Sequence, residues 1–270
     1  MSTGKILLLG GIAGMTILLG LPIGRLRNPA PRLRAFLNAV AIGILVFLLF
    51  DVLSHANEPV EAALTKANDG EGTWLRFAGL SSVFAGFVGF GLIGLAYYDR
   101  HMSRDRALAA SDTAAHRWSP AKRLALLIAV GIGLHNFSEG LAIGQSAAKN
   151  EIGLATILII GFGLHNATEG FGIVAPLAAE GERPSWRFLA AMGLIGGGPT
   201  FFGTLVGQSF VNDTLFLSFL ALAAGSILYV IVQLIKVAGR QHQAEVVMWG
   251  MFAGLVAGFA TDYVLVAAGV

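Results

Sequence analysis

The 270-residue chain contains no cysteine. Disulfides, thiolate metal ligands and thiol redox chemistry are therefore excluded, and any metal it binds must be held by nitrogen and oxygen. Charge is also scarce: Asp, Glu, Lys and Arg make up 13% of the residues, against 55% hydrophobic. With a mean hydropathy of +0.72, that balance excludes an ordinary soluble domain. Apolar runs near twenty residues recur along the whole length, as in a polytopic membrane protein. Lipid offers no water to open backbone groups, so these runs are expected to be helices. Glycine, in contrast, is abundant at 36 residues. In a helical membrane bundle it marks close backbone contacts.

Eight spans are predicted, over 5–23, 35–54, 75–98, 123–147, 151–179, 187–210, 214–236 and 246–268. The first is not read as a cleaved signal, because Arg25, Arg27, Arg32 and Arg34 follow its apolar run rather than precede it. Placing both termini outside puts fourteen of the eighteen Lys and Arg in or beside the inner loops. That distribution agrees with the positive-inside rule, and it accounts for the pI near 9.1 without a nucleic-acid partner. The inner loop 99–122 is polar and holds His101 and His116, read as solvated or as metal-sensing. The outer loop 55–74 carries Glu58, Glu61, Asp69 and Glu71, read as solvated or as a cation-concentrating surface. GxxxG spacings at Gly10/Gly14, Gly203/Gly207 and Gly250/Gly254/Gly258 predict packing faces.

The fourth and fifth spans each carry G-L-H-N-x-x-E-G, at 133–140 and again at 163–170. His135 with Glu139, and His165 with Glu169, stand at i and i+4 on one helical face. Ionisable groups at membrane depth are expensive and mark function. Two adjacent helices with this face offer two imidazoles and two carboxylates to one point. Proton relay, catalytic metal and transported metal all fit those residue types. Two carboxylates neutralise one divalent ion, which allows a loaded site to exist in a low-dielectric region. An empty site with both carboxylates ionised is unfavourable, so metal entry is expected to displace protons. Asn136 and Asn166 are candidates to supply carbonyl oxygens or to orient the carboxylates. The donor set suits Zn, Cd, Fe or Mn better than Mg or Ca.

At these residues the chain resembles the ZIP (Zrt/Irt-like) family of divalent metal transporters, in its GufA-like bacterial branch. His135, Asn136, Glu139 and Gly140 match the family's H-N-x-P-E-G, with Ser138 in place of proline. His165, Asn166, Glu169 and Gly170 match its fifth-span motif, and residues 223–230 its seventh span. The resemblance implies an all-α bundle of eight helices in a 3+2+3 arrangement with inverted repeats. It also implies a homodimer in a bacterial inner membrane, and elevator movement of spans one, four, five and six against the rest. The expected metal set is His135, Asn136, Glu139, His165, Asn166 and Glu169. No catalytic residue and no resident cofactor are expected; the metal is the cargo. Many members carry a Glu before the sixth-span proline, where this chain has Gly198-Pro199-Thr200, so one core metal rather than two is expected. Asp51 and His55 are a candidate entrance pair, and Asp262 either a helix contact or part of a route. An intramembrane metal-dependent hydrolase is the alternative. It lacks H-E-x-x-H, and four protein ligands leave no open position for water.

Overall fold

The computed structural model describes residues 2–25, 30–108, 118–148, 152–209, 212–240 and 242–267. Among them the only regular structure is helical: α1 (Thr3–Met15), α2 (Pro31–Asn68), α3 (Trp74–Leu108), α4 (Pro120–Ala148), α5 (Ile152–Glu180), α6 (Trp186–Ser209), α7 (Asp213–Gly239) and α8 (Ala244–Ala267). Seven of these stretches are long and apolar enough to cross a membrane on the described residues. The remaining one, α5, has the 29-residue length of α4.

Three boundaries differ from expectation. The first span is α-helical only to Met15 and continues as 3-10 turns over Thr16–Leu19 and Leu21–Arg25. Pro22 lacks the N–H that an α-helix would need there. Helix α2 runs on to Asn68, so Glu58 and Glu61 lie on a helix rather than in a loop. Its polar end is bound by an i,i+4 contact, Asn57 Nδ2 donating to Glu61 Oε1 at 2.7 Å. Helix α3 likewise continues to Leu108 and carries His101, while His116 lies outside the described residues. Helix α4 runs from Pro120 to Ala148 as one helix through Ser138.

Packing follows the glycines. Gly250, Gly254 and Gly258 on α8 lie against α2, where added Cβ atoms would meet Phe36, Ala39, Val40 and Phe47. Gly10 and Gly14 bring α1 onto α6, and Gly203 and Gly207 bring α6 onto α4. In each case the predicted small-residue face is a helix contact. Helix α4 is the most enclosed of the seven candidate spans and α3 the most peripheral. On α3, Leu75, Phe90, Ile93 and Tyr97 point outward. The most extensive contacts join α4 with α6, α2 with α8, and α3 with α7. Helices α1, α4, α5 and α6 pack chiefly on one another, as do α2, α3, α7 and α8. The two sets meet mainly through α4–α7, α2–α5 and α5–α8.

One end of the first set is stitched by polar side chains. Ser119 Oγ caps α4 by accepting from Lys122 N at 3.1 Å and donates to Glu182, which pairs with Lys122 at 2.5 Å. Arg25 donates to the Pro184 carbonyl and lies 4.6 Å above the Trp186 ring. Gly181, at φ +71°, ends α5 in the left-handed region, and Glu182 N then donates back to Leu177 O at 2.9 Å. Partial burial raises the Glu182 carboxyl. The hydrogen bonds from Lys122 and Ser119 and the Lys122 charge outweigh this and hold it below the usual range.

Candidate metal centre

Each motif ends on a glycine that brings its helix against a neighbour. A Cβ at Gly140 would collide with the Thr200 carbonyl of α6, and one at Gly170 with the Ile17 carbonyl of the 3-10 segment. On α4 the helix turns His135 and Glu139 the same way. On α4, His135, Asn136 and Glu139 are all buried; on α5, Asn166 and Glu169 are fully so.

His135 Nε2 stands 3.2 Å from Glu139 Oε1 on its own helix and 4.0 Å from Glu169 Oε1 on α5. Side chains from both helices therefore meet inside the bundle. Asn136 Nδ2 donates to Asn166 Oδ1 at 2.6 Å and to the Gly196 carbonyl of α6 at 3.0 Å. Asn166 Nδ2 donates to the Ala13 carbonyl of α1 at 3.2 Å. Each amide also interacts with the other helix's carboxylate, Asn136 with Glu169 and Asn166 with Glu139. Asn136 Oδ1 and Glu139 Oε2 are buried without a protein partner. His165 lies on α5, but its side chain is outside the described residues. Among the described residues, no three His, Asp or Glu side chains already stand at metal-ligand geometry.

The candidate entrance pair lies apart from this cluster. Asp51 Oδ1 and His55 Nδ1 are 3.4 Å apart on α2, and the His55 ring is about half exposed. They stand within electrostatic reach of His135, Glu139 and Asp262. On α6, Thr200 is fully buried, and neither Pro199 nor its neighbours bring a carboxylate.

Sequence reasoning missed the packing role of Gly140 and Gly170, although the four-residue spacing after each Asn places them on one face. It also missed Thr16, whose single hydroxyl proton is shared between Ala13 O, 2.7 Å from Oγ1, and Gly163 O of α5, 2.5 Å from it. A lone threonine in an apolar run carries no signal of that kind.

Apolar helices enclosing buried imidazole, carboxylate and amide groups define a multi-pass membrane protein that handles cations. The ZIP zinc transporter family matches residues 99–264, more than half of the chain, and the chain belongs to that family. Membership makes it a transporter of divalent metal cations rather than an enzyme, so the hydrolase alternative falls. None of the curated proteins compared with the chain matches it.

Proposed function

We propose that the chain carries Zn2+, or a related cation such as Cd2+, Fe2+ or Mn2+, into the cytoplasm across a bacterial inner membrane. The observation that carries this reading is the meeting of His135 and Glu139 on α4 with Glu169 on α5, all buried. The ion-binding set comprises His135, Asn136, Glu139, His165, Asn166 and Glu169, and Asp51 with His55 receives ions at the entrance. Two ligands of a tetrahedral zinc at about 2.0–2.1 Å lie about 3.3 Å apart. His135 and Glu139, at 3.2 Å, already match that separation. From 4.0 Å, Glu169 closes in by about 0.7 Å. Lacking thiolates, the site binds less tightly than a structural zinc site, which suits a carrier that must release.

The movement is an elevator: α1, α4, α5 and α6 travel with the ion against α2, α3, α7 and α8. Supporting this is the preference of each set for its own members, and the polar stitching of the first set at Lys122, Glu182 and Arg25. A 3+2+3 arrangement with both termini outside, in a homodimer of the GufA-like branch, completes the reading. The experiment is zinc flux into proteoliposomes of the purified chain. Wild type loads zinc, and Glu139→Ala or His165→Ala loses flux while retaining its fold. Wild-type vesicles that load no faster than protein-free ones reject the reading.

A further inference from the structure

Asn136 and Asn166 occupy the same place in their motifs, but their surroundings differ. The Gly196 and Ala13 backbone carbonyls fix both amide orientations. Turning either amide would set its oxygen against a backbone carbonyl oxygen. Asn166 therefore commits its nitrogen to α1 and to Glu139, and its oxygen to Asn136. Asn136 commits only its nitrogen, shared among Asn166, the α6 carbonyl and Glu169, and its oxygen has no protein partner. Both amides are fully buried.

The α1–α5 junction is built around the same acceptor. Ala13 O receives Thr16 Oγ1 as well as Asn166 Nδ2, and Thr16 also reaches Gly163 O, three residues before Asn166. Gly20 and Gly170 bring the two backbones together one turn further on.

We propose that Asn166 is a positioning residue and not an ion ligand. It pins α5 to α1 and α4 and, through Asn136, to α6, holding Glu139 and Glu169 at one separation while the four helices move together. Asn136 is left as the neutral oxygen donor. This inference rests on the transport reading above and refines its ligand set.

A ligand and a pin respond differently to substitution. Asn166→Ala removes a donor and an acceptor from a buried chain of hydrogen bonds. The maximal zinc uptake rate of proteoliposomes then falls about tenfold, the order of a lost buried hydrogen bond. The half-saturating zinc concentration stays within about twofold, and zinc X-ray absorption shows the same first-shell oxygens as wild type. Asn166→Asp keeps the acceptor but loses the donor and sets a carboxylate against Ala13 O, so its rate also falls. A ligand role predicts instead a lost first-shell oxygen in Asn166→Ala and tighter zinc binding in Asn166→Asp. Either result overturns the proposal.

Asn166→Ala uptake at the wild-type maximal rate, in a preparation whose wild type moves zinc, sinks only this inference, whereas a wild type that moves none sinks the transport reading.

Discussion

Gly140→Ala tests how the first motif is held in place. The added methyl would collide with the Thr200 carbonyl and stand 2.8 Å from Thr204 N and 3.0 Å from Gly203 Cα. These are backbone atoms of α6 and cannot swing aside as a side chain does. Ordinary contact begins near 3.4 Å, so α4 and α6 must separate by at least about 0.6 Å at this point, an overpacking that costs about 1–3 kcal/mol. Glu139 is the adjacent residue and His135 lies just over one turn before it, so the displacement reaches the ion directly. A shift of about 1 Å in a working site costs about a hundredfold, and about tenfold or more is expected here. The assay pairs thermal unfolding in detergent with zinc uptake into proteoliposomes. Gly172→Ala is the control, because a Cβ there meets nothing within 4 Å. Gly140→Ala with wild-type melting temperature and wild-type uptake would refute the reasoning.

Other outcomes follow from the same contacts. The Glu182 carboxyl is held below its ordinary range, so its contribution to stability is present above that range and fades as pH falls through the depressed value. The melting-temperature gap between wild type and Glu182→Gln in detergent should therefore close below about pH 4; a gap that widens on acidification contradicts the sign. Gly181→Ala forces a Cβ into the left-handed region at φ +71° and should destabilise by about 1 kcal/mol. Gly181→Asn should melt nearer to wild type, and equal melting of all three would count against strain at that turn. Elemental analysis of the purified protein should find one core metal per chain, because α6 brings Gly198-Pro199-Thr200 and no carboxylate.

The sequence was most informative where residue type and period agree. Eight apolar runs in lipid leave the backbone little choice but helix, and the repeated His-Asn-x-x-Glu-Gly fixes which face must be polar. It was least informative where polarity masks helix propensity. Residues 55–68 read as a loop because they are charged. They nevertheless hold four Ala and two Glu, good helix formers, and a solvated helix needs no apolar face once it extends a helix already formed. Pro22 is a local sign that the first span leaves the α-helix, but no local pattern announces that the 3-10 turns after Met15 lie against α5. The division of labour between the two asparagines is a tertiary matter as well. It is set by the Ala13 and Gly196 carbonyls, which lie on other helices.

The most direct measurement is anomalous scattering from crystals of the protein soaked with Cd2+. The account predicts an ion between Glu139 on α4 and Glu169 on α5, within bonding distance of His135. Cadmium bound at Asp51 and His55 with none between the two helices would contradict it.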